Sequence, residues 1–321
     1  MKMKSVMSAL AATVAMSFAA QAADIAVIAG SANDAFFNKI KKGVDDAALV
    51  VEANGGKVTY LTTQNYDNFG PDLVGLINTA VSQNVQGIAI PIWVPDAQIP
   101  ALQEAAKKGI KIMLYNTIGG DGDKDKIGAF NYFGTDEFLA GQRGGEYFAK
   151  AGAKKILCVI QVPGAVNLET RCNGLEKGET DNGGAIVRLP LPANIDGDAA
   201  ATTEAIKAEL LKDPSIDGVF TLAAAVTDAA ALAIDQAGVA DKVKLGSTDL
   251  SPSILDRIKA GKQLMAIDQQ PYLQSFLAVT MLASTIDWGT DLATDPVLTG
   301  PAIVDAANVD ATMAGVQAGA R

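Results

Sequence analysis

Short apolar segments alternate with longer segments of helical period along almost the whole chain, and this alternation limits the possible folds more than any other feature. The short segments are rich in Val and Ile, as expected of buried strands. The longer ones carry an apolar residue every three or four positions, which indicates amphipathic helices. The predicted strands are 24–30, 57–64, 87–93, 110–116, 154–161, 185–192, 217–223 and 242–249, and the predicted helices are 35–56, 71–85, 95–109, 136–152, 167–184, 200–213, 227–238 and 271–288.

Such alternation predicts an α/β fold with two doubly wound parallel-sheet domains joined by a hinge. The chain has 321 residues, enough for two domains of about 150 residues each. We place the N-terminal lobe at 23–131 plus about 270–294, and the C-terminal lobe at 132–269 plus about 295–321. Ligands of open parallel sheets bind outside the carboxyl ends of the strands. Two facing lobes would therefore form one cleft.

The first 22 residues have the pattern of a secretory signal peptide, and we exclude them from the fold. Lys2 and Lys4 precede an apolar stretch, and Ala20-Gln21-Ala22 fits a cleavage site. The alternative is an N-terminal anchor helix, for which the apolar stretch is short. We expect cleavage after Ala22 and export to the periplasm.

Composition excludes several classes of site and partner. Lys and Arg total 26 against 36 Asp and Glu, and this acidic balance argues against nucleic acid as a partner. The chain has no histidine, which excludes Ser-His-Asp and Cys-His nucleophiles and histidine-based zinc sites. We expect no cofactor, no metal site and a monomeric protein.

The chain has two cysteines, Cys158 and Cys172. An even number in an exported protein favours a disulfide, because the compartment is oxidising. Closing so short a loop would stabilise the fold by roughly 3 kcal/mol at most. Two buried thiols are the alternative.

Polar and aromatic residues follow the predicted strands at the edge where a ligand would bind. Asn116, Asp249 and Gln269 offer planar hydrogen-bonding groups, and Trp93 offers a ring. Phe36 and Phe37 begin the first helix, where successive side chains point about 100° apart, so one ring can pack on the sheet while the other overhangs the cleft. Rings and planar polar groups suit a neutral polyhydroxylated ligand. Gln161 and Tyr115 are further candidates.

The order of these motifs resembles the ribose-binding-protein-like periplasmic sugar-binding proteins, the type I solute-binding components of ABC importers. The shared patterns are "AND-A-FF" at 32–37, Arg171-x-x-Gly174, "LGSTDLSPSILDRIKAGK" at 245–262 and "AIDQQPY" at 266–272. The resemblance implies capture of a sugar, polyol or cyclitol by hinge closure, and delivery to an ABC permease in the inner membrane. It implies ligand contacts from Asn33, Asp34, Phe36, Phe37, Arg171, Asp249 and Gln269, to which the strand-end pattern adds Trp93 and Asn116.

The chain departs from the ribose-type pattern at three places. Asn116-Thr117 stands where those proteins carry Asp-Arg, and Ala223-Ala224 stands where they carry Asn-Asp. Ile195 takes the place of an aromatic residue that closes the second ring face. One charged clamp and one amide are therefore absent, which implies a ligand other than ribose.

Each candidate residue also has a structural alternative. These are core packing for Phe36 and Phe37, a helix N-cap for Asp249, a surface helix charge for Arg171, a hinge amide for Gln269, a turn for Asn116, and cover of the sheet edge for Trp93.

Two other functions share this fold class. A doubly wound enzyme acting on a small sugar-like substrate is the main alternative, but "GSAND" fills the slot where a dinucleotide-binding G-x-G-x-x-G would follow the first strand. The sensing half of a transcriptional repressor is the other. The sequence shows no DNA-binding helices of such a repressor, and its signal-peptide pattern argues against a protein that acts on DNA inside the cell.

Overall fold

The computed structural model describes residues 22–192, 195 and 197–321. The predicted signal peptide therefore lies, apart from Ala22, outside the described residues. Within them the chain forms two sheets of six strands, each flanked by helices. The predicted α/β fold with two doubly wound sheets is confirmed.

The N-terminal lobe contains the first sheet, whose strands are parallel in the order β11-β5-β4-β3-β1-β2. Its strands are β1 Asp24–Ala29, β2 Lys57–Thr62, β3 Gly87–Ile90, β4 Lys111–Asn116, β5 Tyr132–Thr135 and β11 Val297–Gly300, and its helices are α1 Ala35–Ala53, α2 Phe69–Ser82, α3 Pro95–Lys107, α4 Asp123–Lys126 and α10 Pro271–Trp288.

The C-terminal lobe contains the second sheet, in the order β12-β10-β9-β8-β6-β7, with β12 antiparallel to β10. Its strands are β6 Lys155–Ile160, β7 Ala185–Pro190, β8 Gly218–Thr221, β9 Lys244–Thr248, β10 Met265–Asp268 and β12 Ala302–Val304, and its helices are α5 Glu137–Lys150, α6 Val166–Thr180, α7 Ala199–Lys212, α8 Ala224–Gln236, α9 Pro252–Lys259 and α11 Val309–Gln317.

Strand pairing moves the two predicted lobe boundaries. β5 pairs with β4 and β11 pairs with β5, so both strands belong to the first sheet. The boundaries at 131 and 294 placed them in the other lobe. Both strands are too short to show a periodic pattern, and Pro296 and Pro301 flank β11. The chain thus passes between the lobes after β5, after β10 and between β11 and β12.

Glycines bring α5 and α6 unusually close together in the C-terminal lobe. A Cβ atom at Gly141 would collide with the carbonyl of Arg171, and one at Gly174 would collide with the carbonyl of Phe138. The two helix backbones can approach this closely only because no side chain separates them. The contact places the first residue of α5, Glu137, beside Arg171.

A disulfide joins Cys158 on β6 to Cys172 on α6, with their Cα atoms 6.1 Å apart. It ties the helix that carries Arg171 to β6, an interior strand of the second sheet next to the edge strand β7. In the part of the chain that the structure describes, no helix has both the length and the apolar character needed to cross a membrane.

Candidate ligand-binding site

A cavity of about 280 Å³ lies between the lobes and is lined by residues of both. This volume is near the lower end of the range for small-molecule sites, about 300–1,000 Å³. The N-terminal lobe contributes Ser31, Asn33, Asp34, Ala35, Phe37, Tyr66, Phe69 and Trp93, and the C-terminal lobe contributes Gln161, Val162, Ala165, Asn167, Leu168, Leu191, Gly197, Asp198, Ala199, Thr202, Ala223, Ala225, Val226 and Ala229.

Four rings, those of Phe37, Tyr66, Phe69 and Trp93, form what we call the aromatic wall. The ring of Phe37 meets that of Trp93 edge-on at 5.5 Å between centroids, and Phe69 lies 5.2 Å from Trp93. Tyr66 meets Phe69 edge-on at 4.9 Å. Such contacts fix the orientation of each ring. The N-terminal lobe therefore offers a rigid apolar surface to the cavity.

The start of α1 decides which of the two adjacent phenylalanines faces the cavity. Asp34 caps the helix by accepting a hydrogen bond from the Phe36 backbone N–H at 2.9 Å, and it accepts another from the Tyr66 hydroxyl at 2.9 Å. Phe37 lines the cavity. Phe36 is buried and packs edge-on against Phe37, with 5.3 Å between ring centroids.

The remaining predicted residues form a continuous hydrogen-bonded chain that begins at the aromatic wall, and we call it the polar network. Trp93 Nε1 donates to Asn116 Oδ1 at 3.0 Å, and Asn116 Nδ2 donates to Gln274 Oε1 at 3.3 Å. Gln274 Nε2 in turn donates to the carbonyl oxygen of Gln269 at 3.1 Å. A ring at the cavity is thus connected to the crossover between the lobes.

The side chain of Gln269 connects the crossover to two charged groups. Its Oε1 accepts from Arg171 Nη2 at 2.9 Å, and its Nε2 donates to Asp249 Oδ1 at 2.6 Å. Arg171 also forms a two-point pair with Glu137, through Nε to Oε2 and through Nη2 to Oε1. Arg171 Nη1 donates to the carbonyl of Leu222 at 3.3 Å. All the side chains of this part of the polar network are buried.

Burial dominates the electrostatics of these groups. It raises the pKa of Asp249 to about 6, although Arg171 and Lys39 act in the opposite direction. Burial also raises the pKa of Glu137, against the effect of Arg171. It lowers the pKa of Lys39, whose ammonium donates to the carbonyl of Leu250 at 2.5 Å. Ionised Asp249 is therefore costly with Gln269 as its one side-chain donor, and further hydrogen-bond donors would stabilise it.

Two structural alternatives from the sequence are decided by these contacts, and the further candidate Tyr115 is placed as well. Asp249 is not the N-cap of α9, because Ser251 takes that role and accepts from the Ile254 N–H at 3.2 Å. Arg171 is not a surface charge, since it is 2% exposed. Tyr115 is a core residue, because it is fully buried and its hydroxyl donates to the Ile28 carbonyl at 2.7 Å.

The predicted site residues thus divide into two groups. Asn33, Asp34, Phe37 and Trp93 line the cavity. The others lie outside its lining, and four of them belong to the polar network that adjoins it. The residues outside the lining are Phe36, Asn116, Arg171, Asp249 and Gln269.

Two amides on the C-terminal side of the cavity have no partner for their oxygen atoms. Asn167 Oδ1 and Gln161 Oε1 are buried without a hydrogen bond in the described structure, and both residues line the cavity. Leaving such an oxygen unpaired costs about 1–3 kcal/mol. A ligand with hydroxyl donors would satisfy both oxygens.

Sequence reasoning overlooked Asn167 and Glu137. Asn167 lies four positions before Arg171 on α6, so the two side chains share one helix face, and this spacing was an available signal. No local signal reveals Glu137, since its pairing with Arg171 spans 34 positions. It depends on the close packing of α5 and α6.

The positions where the chain departs from the ribose-type pattern also lie near the cavity. Ala223 lines it where an amide would otherwise stand, so the wall there is apolar. Ile195 is half-buried and packs against the apolar cluster of the C-terminal lobe. On this side the polar groups come instead from Asn167, Gln161 and Asp198.

The two lobes touch directly beside the cavity. The Val166 N–H at the start of α6 donates to the Trp93 carbonyl at 3.0 Å. The bond from Lys39 to the Leu250 carbonyl also joins the lobes. The cavity therefore lies between two lobes that are in contact at its side.

Residues 25–291 match the family model described as the periplasmic binding protein domain. A solved structure with a TM-score of 0.84 and 33% identity is a carbohydrate transporter from Acidothermus cellulolyticus 11B in complex with myo-inositol. The similarity covers 94% of this chain and all of that one (100%). Another, a solute-binding protein of an ABC transporter from Burkholderia graminis in complex with D-arabinose, has a TM-score of 0.77 and 27% identity, and covers 90% of this chain and 97% of that one.

Two curated relatives are sugar-binding proteins. The xylose/arabinose-binding protein XylF of Sulfolobus acidocaldarius is 24% identical over 75% of this chain, and the match spans 61% of that relative's length. The D-allose-binding periplasmic protein of Escherichia coli K12 is 25% identical over 78% of this chain and 80% of the relative. Both names describe the binding of a sugar.

Proposed function

This chain belongs to the periplasmic binding protein family, and we propose that it captures a small neutral polyhydroxylated solute for an ABC importer. The solute would be a sugar, a polyol or a cyclitol. One observation carries the proposal: an aromatic wall and two unpaired amide oxygens line the same cavity between the lobes. Ring faces accept the C–H side of such a ligand, and the amides accept its hydroxyl hydrogens.

Capture would proceed by closure of the two lobes about the three crossover segments. Phe37 and Trp93 belong to one lobe, and Asn167 and Gln161 belong to the other. A ligand that contacts both pairs of residues gains all of its contacts only in the closed state, so its binding shifts the equilibrium toward that state. The closed protein would then deliver the solute, chemically unchanged, to a permease in the inner membrane.

Asp249 and Arg171 would provide the orienting contacts once a ligand enters. The Asp249 carboxylate accepts one side-chain hydrogen bond, from Gln269, so it can accept further hydrogen bonds from ligand hydroxyls. Charge-assisted hydrogen bonds of this kind are about twice as strong as neutral ones. We assign ligand contact to Asn33, Asp34, Phe37, Trp93, Asn167 and Gln161 at the cavity, and to Asp249, Arg171, Gln269 and Asn116 beside it, with Phe36 supporting Phe37.

Relatives narrow the class of solute without fixing it. Neutral pentoses, a hexose and myo-inositol appear in the names of the similar proteins. Replacement of the charged clamp by Asn116-Thr117 and of an amide by Ala223 supports a ligand other than ribose. We further propose that the protein is exported to the periplasm, with its signal peptide cleaved after Ala22, and that it acts as a monomer.

The proposal can be tested by a thermal-shift screen of residues 23–321. The panel is myo-inositol, D-xylose, both enantiomers of arabinose, D-allose, D-glucose, D-ribose and the linear polyols. A ligand at 100 times its dissociation constant adds about 2.7 kcal/mol of stability. Mass spectrometry of the solute released by denaturation should return it unchanged, whereas conversion to a product would favour the enzyme alternative.

Asn167→Ala provides the site-specific control. It removes an unpaired buried amide, so the ligand-free protein should stay as stable as the wild type or become slightly more stable, while ligand binding weakens at least tenfold. Asn173→Ala on the exposed face of the same helix should leave binding unchanged. Equal binding by both variants and the wild type would place the ligand elsewhere.

A further inference from the structure

Arg171 places a permanent positive charge next to the cavity. It follows Asn167 by one turn of α6, and its Nη1 donates to the carbonyl of Leu222, which directly precedes the cavity residue Ala223. A buried guanidinium in this position would normally recognise a carboxylate or phosphate, because its planar donors match two oxygens at once. By itself, Arg171 would therefore favour an acidic ligand.

Glu137 already occupies the guanidinium in the way that a ligand carboxylate would. Both of its oxygens accept from Arg171, one from Nε and the other from Nη2 at 3.0 Å. The two side chains are 2% and 6% exposed, so water screens the pair very little. The pair cancels the charge of Arg171 and fills the two-point donor edge.

We propose that Glu137 is a specificity-determining residue that keeps acidic sugars out of the cavity by neutralising Arg171. The inference rests on the proposed function, since it concerns which polyhydroxylated solutes are admitted. Asp34 and Asp198 line the cavity and Asp249 adjoins it. With Arg171 neutralised by Glu137, the negative charges of these three carboxylates exceed the positive charge of Lys39. The negative carboxylate of a uronate would therefore be repelled from the cavity.

The packing of α5 on α6 makes this neutralisation permanent. Glu137 is the first residue of α5, and contact at Gly141 and Gly174 holds the two helices too close for a side chain between them. The backbone of Glu137 is therefore held beside Arg171 by the packing of two core helices. The charge balance is set by the fold and does not depend on the ligand.

The test compares neutral sugars with uronates that differ only at one carbon. D-glucose is paired with D-glucuronate and D-galactose with D-galacturonate, alongside myo-inositol and the pentoses as neutral references. Affinities are measured by calorimetry at pH 7.5 for the wild type, Glu137→Gln and Glu146→Gln. Glu146 lies on the exposed face of the same helix, so its variant makes the same charge change far from the cavity.

We expect the wild type and Glu146→Gln to bind neutral members of the panel and to exclude both uronates. In Glu137→Gln, the ratio of uronate affinity to neutral-sugar affinity should rise at least tenfold. The ratio reports selectivity and would not change if Glu137 merely supported the fold. Should Glu137→Gln not fold, Glu137→Ser, which leaves space for water beside Arg171, carries the same expectation.

Three results would overturn the inference. One is a folded Glu137→Gln or Glu137→Ser protein that excludes uronates as strictly as the wild type, or that binds nothing. Another is a wild type that accepts uronates as well as neutral sugars, which would leave the proposed function intact. The third is a wild type that binds no member of the panel, which would overturn the proposed function as well.

Discussion

The aromatic wall and the polar network meet at Trp93, yet they are built on opposite principles. The aromatic wall holds its shape through ring contacts, and its residues carry no charge that must be balanced. The polar network buries two carboxylates and a guanidinium: Arg171 is held by Glu137, Gln269 and the Leu222 carbonyl, and Asp249 is held by Gln269. The aromatic wall is stabilised by apolar packing alone. The polar network is stable only while each buried charge keeps its partner.

This difference separates two contributions to ligand binding. We infer that the aromatic wall supplies tolerant apolar contact that many small rings would satisfy. The polar network supplies direction, because its donors and acceptors are fixed before a ligand arrives. It follows that substitutions in the polar network should change stability and selectivity strongly, and substitutions in the aromatic wall should change affinity moderately.

Removing Arg171 should produce the largest effect. Arg171→Ala leaves the Glu137 carboxylate buried without its partner, so we expect unfolding to require about 3–5 kcal/mol less free energy. Urea denaturation of the ligand-free protein measures this loss. The double variant Glu137→Gln with Arg171→Gln removes both charges and should recover much of it. An Arg171→Ala protein as stable as the wild type would show that the pair is not buried as described.

Neutralising Asp249 should stabilise the ligand-free protein while weakening ligand binding. Its folded pKa of about 6 exceeds the ordinary 3.8, so the folded state holds a proton that the unfolded state releases. Stability therefore falls as pH rises from about 4 to about 6, by up to about 3 kcal/mol from this group.

Asp249→Asn should flatten that decline and should be more stable than the wild type at pH 7. Loss of the carboxylate acceptor should weaken ligand binding by roughly 10- to 100-fold. Thermal melts from pH 4 to 7.5, with and without ligand, measure both effects. A ligand-free variant less stable than the wild type at pH 7 would contradict the expected cost of the buried carboxylate.

Ligand affinity should itself depend on pH through Asp249. If the ligand donates to the ionised carboxylate, lowering the pH from 7 to 5 adds a proton to Asp249 and weakens binding about tenfold. Calorimetry across this interval measures the change, and Asp249→Asn should show no comparable slope. Affinity that rises on acidification would indicate that the protonated carboxyl is the binding form.

The smallest effect is expected at the aromatic wall. Phe37→Leu keeps most of the apolar volume but loses the flat ring face, so we expect about fivefold weaker binding, close to 1 kcal/mol. Phe148→Leu is the matched control. Phe148 and its edge-on partner Phe220 are both buried rings of the C-terminal lobe, away from the aromatic wall. The control variant should cost similar stability without changing affinity. Equal loss of affinity in both variants would mean that Phe37 acts only through the core.

The sequence predicted the fold well because hydrophobic periodicity reports burial directly. It missed β5, β11 and β12, which are short strands identified by their pairing within the sheets. It named both Phe36 and Phe37 as ligand contacts, but Phe37 lines the cavity and Phe36 does not, because that choice depends on how α1 is rotated against the sheet. It left Asp249 open as a helix cap, although Ser251 two positions later was the better cap.

The polar network was the least predictable part of the site. Its members were mostly singled out as separate strand-end residues, but their partners were not. Glu137 meets Arg171 only because glycines let two helices approach closely, and Gln274 meets Asn116 only because α10 returns to the first sheet. Contacts of this kind are set by tertiary packing, which no local pattern records.

A crystal structure of the complex with the tightest-binding neutral solute of the panel tests the proposed capture most directly. We predict one ligand ring packed against Phe37 and Trp93, with its hydroxyls bonded to Asn167 and Asp249, so that both lobes contact the same molecule. A ligand held by one lobe alone, or bound outside the cavity between them, would contradict it.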